Sequence, residues 1–160
     1  MSETLIIADG DKRSKYATLL PQIEALLSAE RDAIACMANV SAALHDTFRF
    51  WWVGFYRVVG NQLVLGPFQG PLACTRIPRG KGVCGTAWEQ GSTIVVPDVD
   101  AFPGHIACSS ASRSEIVVPI FSGNEVVAVI DIDSELPDHF DQTDADALQS
   151  IASMLSVKFT

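Results

Sequence analysis

Apolar side chains recur every three or four residues in two stretches near the start of the chain, residues 14–28 and 30–46. This spacing places them along one face of a helix, so each stretch predicts an amphipathic helix. Pro21 lies inside the first stretch, and we expect it to kink or divide that helix because proline has no backbone N–H to donate. Cys36 lies within the second stretch and is interpreted as a small packing residue on its apolar face.

Runs rich in β-branched and aromatic residues follow the second helix and recur later in the chain. Phe50–Val59 and Gln62–Phe68 lie on either side of Gly60-Asn61, a dipeptide typical of tight turns, and predict a β-hairpin. Glu115–Phe121 and Glu125–Asp133 are joined by a short turn segment and predict a second hairpin.

The segments between and after these hairpins are shorter or less regular. Residues 69–81 hold Gly and Pro at close intervals and predict an irregular connection. Gly82–Gln90 predicts a short helix, and Ser92–Val96 predicts a short strand. Asp98–Ser112 has mostly small and polar residues without a clear period, so we expect a long loop of the kind that is often functional. Apolar residues at helical spacing predict a closing helix over about 141–157.

This order of elements predicts an α+β fold with a mainly antiparallel sheet, because two hairpins are flanked by helices at both ends of the chain. A length of 160 residues is typical of one domain with a sizeable core. No internal repeat or linker interrupts the order, so we interpret residues 1–160 as a single domain.

The composition describes a compact protein with an acidic surface. Hydrophobic residues make up 48% of the chain and charged residues 19%, and the net charge is −8. A nucleic-acid or anionic-membrane partner is not expected, because no cluster of Lys and Arg offers a basic face. No apolar stretch approaches the roughly 20 residues of a membrane span, and the first residues lack the pattern of a secretory signal. We therefore expect a cytoplasmic protein, in which cysteines rest as thiols with catalytic, redox-sensing or metal-binding uses.

Three cysteines, Cys74, Cys84 and Cys108, lie in or beside irregular segments. Cys84 is placed at a predicted helix start and Cys108 in the predicted long loop, and both settings can stabilise and expose a thiolate. None of the cysteines forms a CxxC pair, so the usual zinc-ribbon and thioredoxin spacings are absent and no metal site is expected. The alternative is that the three are unrelated buried thiols, and the residues alone leave this open.

Three carboxylates are predicted to share one end of the second hairpin. Asp131 and Asp133 alternate along a strand and therefore face the same side, and Glu115 begins the strand that pairs with it. Clustered and partly buried carboxylates repel each other, which favours protonation of one of them and a general-acid role. A solvated strand end is the alternative interpretation.

Two neighbouring tryptophans, Trp51 and Trp52, are assigned to the first strand, where neighbours face opposite sides. We expect one to enter the core and the other either to wall a ligand pocket or to pack as well. His105 lies three residues before Cys108, but the sequence offers no third group that would orient it.

Five segments together resemble the free methionine-R-sulfoxide reductases, a family built on the GAF domain. The cysteine-bearing segments make the resemblance specific, and together the segments cover most of the chain. They are LVLGPFQGPLACTRIPRGKGVCGTAW at 63–88, VPDVDAFPGHIACSSASRSEIVVPI at 96–120, VIDIDSE at 129–135, WVGFY at 52–56 and the terminal FDQTDADALQSIA. The resemblance implies one GAF domain, with about six mainly antiparallel strands and the N- and C-terminal helices on one face, usually as a homodimer.

The resemblance also implies a reaction and assigns the thiols to its steps. The family reduces the R-sulfoxide of free methionine. Cys108 corresponds to the nucleophile that attacks the sulfoxide sulfur and becomes a sulfenic acid, and Cys74 to the thiol that then forms a disulfide with it. Cys84 corresponds to a second resolving or relay thiol. The electrostatic setting of a helix start would favour Cys84 as the attacking thiol, but the resemblance is densest around Cys108.

The remaining implied site residues surround the substrate. Trp52 corresponds to an aromatic wall beside the methyl group, and Glu115, Asp131 and Asp133 to the acidic cluster around the sulfoxide oxygen. No bound cofactor is expected, and NADPH-linked thioredoxin is the implied external reductant. We expect the free amino acid to be accepted and a peptide to be rejected.

Two other functions remain as alternatives. One is a GAF sensory module that binds a small ligand and signals, and the other is a thiol redox sensor that forms the same disulfide without turnover.

Overall fold

The computed structural model describes residues 4–106, 108 and 110–159 of the chain. Helices occupy both ends, and strands occupy the middle. In chain order the elements are α1 (Lys12–Ser28), α2 (Ala33–Phe48), β1 (Trp52–Val59), β2 (Gln62–Gln69), β3 (Arg76–Pro78), α3 (Gly82–Gln90), β4 (Ile94–Val96), a 3-10 turn (Val99–Ala101), β5 (Ser114–Ser122), β6 (Glu125–Ser134), α4 (Gln142–Ser156) and a second 3-10 turn (Val157–Phe159).

The strands form one six-stranded sheet in the order β3-β2-β1-β6-β5-β4. Every neighbouring pair is antiparallel. The two predicted hairpins, β1–β2 and β5–β6, join through pairing of β1 with β6, so the two strands at the centre are far apart in sequence. The predicted α+β class and antiparallel sheet are confirmed.

Three helices, α1, α2 and α4, cover one face of the sheet and bury the larger core cluster with it. Their apolar stripes meet alternate residues of the central strands, such as Phe55, Ile130 and Ile132, which are fully buried. The expectation of N- and C-terminal helices on one face is therefore confirmed. Cys36 is buried in this cluster, which agrees with its interpretation as a packing residue.

The short helix α3 packs on the opposite face of the sheet, beside a second cluster that includes Trp52, Tyr56 and Trp88. This face is covered by one short helix and by connections rather than by long helices. Because the cover is incomplete, room for a cavity remains between α3 and the strands. Among the described residues, no helix combines the length and apolar character that a membrane crossing requires.

Two sequence predictions about local structure need correction, and for Pro21 the correction concerns division of the helix and not a kink. Pro21 does not divide the first helix, since α1 runs through it as one element. Burial of side chains on both sides of the proline, among them Leu19 and Ile23, stabilises the helix against the loss of one backbone hydrogen bond. The connection at 69–81 is also not wholly irregular, because it contains β3.

The strand β3 has only three residues and pairs with Gln62, Leu63 and Val64 of β2. A run this short shows no periodicity, and its final proline is tolerated because β3 lies at the sheet edge. The predicted long loop likewise contains the 3-10 turn at Val99–Ala101, where the side chain of Asp98 accepts from the Asp100 N–H.

Candidate active site

A cavity of about 40 Å³ lies between α3, the cavity-facing sides of β1, β5 and β6, and two connections. It is lined by six of the seven residues singled out from the sequence, namely Trp52, Cys84, Cys108, Glu115, Asp131 and Asp133. The seventh, Cys74, is covalently joined to one of them. The structure therefore brings the whole predicted set together from positions spread over about half of the chain.

Cys74 and Cys108 form a disulfide across 34 residues of sequence, with their Cα atoms 5.5 Å apart. Cys74 comes from the connection between β2 and β3, and Cys108 from the loop before β5. The hydroxyl of Tyr56 donates to the backbone carbonyl of Cys74 over 2.9 Å, which ties the Cys74 segment to the central sheet. Both half-cystines are only partly buried.

Cys84 is a free thiol in the first turn of α3, and it is only 4% exposed. Burial raises its pKa well above the usual thiol value, and the nearby charges of Asp131, Glu115 and Asp133 raise it further. The expectation that the helix start makes Cys84 the better thiolate is wrong. Loss of hydration and repulsion by three carboxylates outweigh the partial charge of a short helix.

The acidic cluster follows from strand register. Glu115 on β5 lies opposite Asp133 on β6, and Asp131 lies two residues away on the same face. Glu115 and Asp131 are each only 5% exposed. One carboxylate oxygen from each of these two residues and the Cys84 sulfur all lie within 4.8 Å of one another. The predicted proximity of Glu115 and Asp131 is therefore present, in a buried setting rather than at a solvated strand end.

Burial is the main reason why the pKa values of all three carboxyl groups are raised. The charge of Asp131 raises the pKa values of Glu115 and Asp133 further. Asp131 differs because Glu115 and Cys84 donate hydrogen bonds to it, and these oppose the effect of burial on its pKa. The pKa values of Glu115 and Asp133 are therefore raised well above their usual range, whereas hydrogen bonds limit the rise for Asp131.

Trp52 forms an aromatic wall of the cavity. Its ring stacks on Phe68 at 5.2 Å and on Tyr56 at 5.9 Å between centroids. Gly54 allows this arrangement, since a Cβ atom there would lie 2.8 Å from the Trp52 ring and 2.3 Å from the Phe68 Cβ. Among the described residues the Trp52 Nε1 atom has no hydrogen-bond partner, so a donor is available at the cavity wall.

The expectation for the two neighbouring tryptophans needs a correction. Trp51 lies before the first residue of β1, so the alternation of a strand does not separate the two rings. Both Trp51 and Trp52 line the cavity. Trp52 combines the two roles that were predicted for different residues, because it is buried in a core cluster and also walls the pocket.

Comparison with known proteins identifies the family. The GAF domain model matches residues 17–159. The free methionine-R-sulfoxide reductase of Neisseria meningitidis, solved in complex with its substrate, is 52% identical with a TM-score of 0.97, over 99% of this chain and 96% of that chain. The Escherichia coli free methionine-R-sulfoxide reductase is 42% identical over 91% of this chain and 88% of its own length. This chain belongs to the free methionine-R-sulfoxide reductase family.

Members of the GAF family also occur under less specific names. The GAF domain-containing protein A of Dictyostelium discoideum is 54% identical over 97% of this chain and 99% of its own length. The chain therefore spans 88% to 99% of the length of these three relatives of the free methionine-R-sulfoxide reductase family member.

Sequence reasoning missed three cavity residues of this free methionine-R-sulfoxide reductase family member or assigned them no role. Tyr56 shares the cavity face of β1 with Trp52, a relation that strand alternation could have revealed. The Ser112 hydroxyl donates to Asp133 Oδ1 over 2.9 Å. His105 lies with Nε2 3.7 Å from Glu115 Oε1, which supplies the neighbour that the sequence did not reveal.

Proposed function

We propose that this chain reduces the R-sulfoxide of free methionine to methionine. One observation carries the proposal: the Cys74–Cys108 disulfide lies beside a buried cluster of carboxyl groups with raised pKa values in a single cavity. Its similarity to free methionine-R-sulfoxide reductases over nearly all of its length supports the same activity.

In the first step, the Cys108 thiolate attacks the sulfoxide sulfur. The oxygen is a poor leaving group until it is protonated, and Glu115 or Asp133 is placed to supply that proton beside the Asp131 carboxylate. The sulfoxide oxygen and the proton move to the cysteine as a sulfenic acid, and methionine is released. The sulfoxide is reduced by two electrons while the thiolate is oxidised by two.

In the second step, the Cys74 thiol attacks the sulfenic acid of Cys108, which forms the disulfide and releases water. The disulfide-bonded structure corresponds to the enzyme after this step. We assign resolution to Cys74 rather than Cys84, because the burial that raises the pKa of Cys84 disfavours its thiolate. A relay through Cys84 would be a later exchange.

An external dithiol must then return the disulfide to two thiols. We propose NADPH-linked thioredoxin for this role, with no bound cofactor in the reductase itself. Both half-cystines are partly exposed, and this supports access by a protein dithiol. We further propose that the chain acts as a single domain, forms a homodimer and works in the cytoplasm.

The decisive test is catalytic turnover. The reduced protein is incubated with dithiothreitol and free methionine R-sulfoxide, and methionine is quantified. We expect many turnovers per chain in the wild type, none in Cys108→Ser, and unchanged turnover in Cys36→Ser, which changes a thiol outside the site. Binding of the sulfoxide without methionine formation would favour a sensory module, and a disulfide formed by peroxide alone would favour a redox sensor.

Substrate specificity supplies a second prediction. We expect the cavity to accept the free amino acid and to exclude methionine sulfoxide within a peptide, because we propose that the site encloses the free ammonium and carboxylate groups of the substrate. The measurement compares kcat/KM for the free sulfoxide with that for an oxidised tripeptide. Comparable values would contradict the proposal that the site encloses the ammonium and carboxylate groups.

A further inference from the structure

The cluster of Cys84, Glu115 and Asp131 combines a sulfur atom with two carboxylates in a buried corner of the cavity. Its three donor atoms lie within 4.8 Å of one another. Tetrahedral zinc with these donor types requires donor atoms about 3.3 to 3.8 Å apart, as calculated from its bond lengths. Side-chain rotations that move the donor atoms by up to about one ångström therefore bring the cluster to the spacing of a set of zinc ligands.

A separate observation points to a missing partner in this corner. Asp131 is 5% exposed, and although Glu115 and Cys84 donate to its carboxylate group, its Oδ1 atom has no hydrogen-bond partner among the residues that the structure describes. A buried carboxylate oxygen normally has at least one partner, because an unmade hydrogen bond costs free energy. A cation bound beside Asp131 would satisfy this oxygen and reduce the repulsion among the carboxylates.

We propose that Cys84, Glu115 and Asp131 form a binding site for a zinc-like divalent cation, which competes with the substrate for the acidic corner of the cavity. The thiolate favours zinc or cobalt over magnesium and calcium, which prefer oxygen donors alone. Coordination uses the Cys84 sulfur as thiolate and releases its proton to solvent.

The surroundings complete the coordination sphere of this site. Three protein ligands leave one tetrahedral position open, as in other zinc sites that keep a water. The adjoining cavity of about 40 Å³ has room for that water. His105 Nε2 lies 3.7 Å from Glu115 Oε1 and can either orient the carboxylate or act as a nitrogen ligand.

The disulfide makes the site separable from the catalytic thiols. Cys84 takes no part in the Cys74–Cys108 bond, so its sulfur stays available in the oxidised protein. In that form the two catalytic sulfurs cannot bind a metal ion. The remaining thiol, Cys36, lies in the core on the other face of the sheet and supplies the matched control.

The experiment titrates oxidised, disulfide-bonded protein with Co²⁺ and records the sulfur-to-cobalt charge-transfer absorption, with Zn²⁺ as competitor. We expect one Co²⁺ per chain, with displacement by Zn²⁺. Cys84→Ser should lose the band and bind about tenfold more weakly or worse, since loss of even an outer partner costs that much. Cys36→Ser should behave as the wild type.

Asp131→Asn provides a test that does not change the sulfur, and its circular dichroism spectrum verifies folding. We expect this variant to keep the charge-transfer band while its affinity falls by about tenfold or more. The proposal is overturned if oxidised wild type gives no band, if Cys84→Ser retains it, if Cys36→Ser loses it, or if Asp131→Asn binds Co²⁺ with unchanged affinity.

Competition with substrate rests on the proposed reductase function and is measured separately. Reduced protein freed of dithiothreitol is mixed with one equivalent of Zn²⁺, and methionine formed in a single turnover is quantified for the wild type and for Cys84→Ser, each relative to the same protein without Zn²⁺. Because Zn²⁺ can also bind the reduced thiols of Cys74 and Cys108, only suppression that is lost in Cys84→Ser counts as competition at the proposed site. We expect turnover to be suppressed and a chelator to restore it. Cobalt binding without any reductase activity would contradict the proposed function and leave the cation site intact, whereas full activity with bound Zn²⁺ would contradict the competition.

Discussion

At the scale of single residues, the shape of the candidate active site depends on the small size of Gly54. The Trp52 ring and the Phe68 Cβ occupy the space into which any side chain at residue 54 would project. The absence of a Cβ therefore lets Trp52 lie between Phe68 and Tyr56 as a flat cavity wall. Gly54 therefore affects packing by leaving room for the Trp52 ring and Phe68, and not by making side-chain contacts of its own.

We predict that Gly54→Ala lowers turnover by displacing Trp52 and destabilises the fold by about 1–3 kcal/mol through overpacking. Methionine formation and tryptophan fluorescence measure the two effects. Gly60→Ala is the control, because nothing lies within 4 Å of its added Cβ and its positive φ of 64° causes only local backbone strain. Equal loss of turnover in both variants would argue against a positioning role for Gly54.

Single residues of the carboxyl cluster also make the folding stability depend on pH. Burial raises the folded-state pKa of Asp133, so the folded protein binds more protons than the unfolded chain above about pH 4. The contribution of Asp133 to folding stability is fully present below the pKa that its carboxyl group has in the unfolded chain. It is lost as the pH rises through the raised pKa of the folded state. Asn at this position still accepts the Ser112 hydroxyl but cannot ionise.

We therefore predict that Asp133→Asn unfolds at higher urea concentration than the wild type at about pH 8, and that this difference shrinks towards about pH 4. Urea denaturation across that pH range measures it. Asp9→Asn makes the same change of net charge at an exposed position and serves as the control. A difference that does not depend on pH would contradict the pKa shift as its cause.

At the scale of elements, the ends of β5 and β6 are connected to the start of α4. Ser114 and Ser134 pair across the two strands directly beside Glu115 and Asp133. The Ser114 hydroxyl donates to the Leu136 carbonyl over 2.5 Å, and Ser134 forms a hydrogen bond with His139. These contacts connect the acid-bearing ends of the two strands to the segment that enters α4.

The next element contact holds α4 against α1. Asp144 takes part in the capping box of α4 and is 1% exposed. Its carboxylate accepts from the Tyr16 hydroxyl over 2.8 Å and from the Lys12 ammonium over 2.6 Å. The N-terminal and C-terminal helices are therefore joined by a buried polar contact as well as by their apolar faces.

We predict that Asp144→Ala destabilises the protein by about 2–4 kcal/mol, because a buried hydroxyl and an ammonium lose their shared acceptor. Chemical denaturation measures the loss. Asp146→Ala, on the exposed side of the same helix, should change stability by no more than about 0.5 kcal/mol. A similar cost for both variants would mean that helix propensity, rather than the buried contact, accounts for the loss.

At the scale of the whole molecule, the disulfide couples the redox state to stability. It joins the connection after β2 to the loop before β5 across 34 residues. Cross-linking segments that are distant in sequence restricts the unfolded chain, by about 4 kcal/mol for a loop of this length. The oxidised state after turnover is thus expected to be more stable than the reduced state that binds substrate.

We predict that oxidised protein is more stable than reduced protein by up to about 4 kcal/mol in urea denaturation. The difference should disappear in Cys74→Ser, which cannot form the bond, and persist in Cys36→Ser. Equal stability of the two redox states in the wild type would mean that native-state strain offsets the restriction of the unfolded chain.

Much of the fold follows from patterns that involve residues close together in the chain. Helical spacing located α1, α2 and α4, and short turn segments between β-rich runs located both hairpins. Strand alternation was sufficient to place Asp131 and Asp133 on one face. These features depend on neighbours within a few positions, so they can be predicted from the sequence. The cysteine-bearing segments were also specific enough to indicate the family. The failures, at Pro21 and at β3, occurred where packing or pairing with distant residues outweighs a local preference.

The chemistry of Cys84 illustrates what required three-dimensional packing. Its place at a helix start suggested a stabilised thiolate, whereas its buried position beside Glu115 and Asp131 favours the protonated thiol. Removal of water and the approach of charges from β5 and β6 depend on which elements pack together, and no local spacing in the chain encodes that. The sequence therefore supplied the reactive groups, and packing across the sheet set their protonation and their partners.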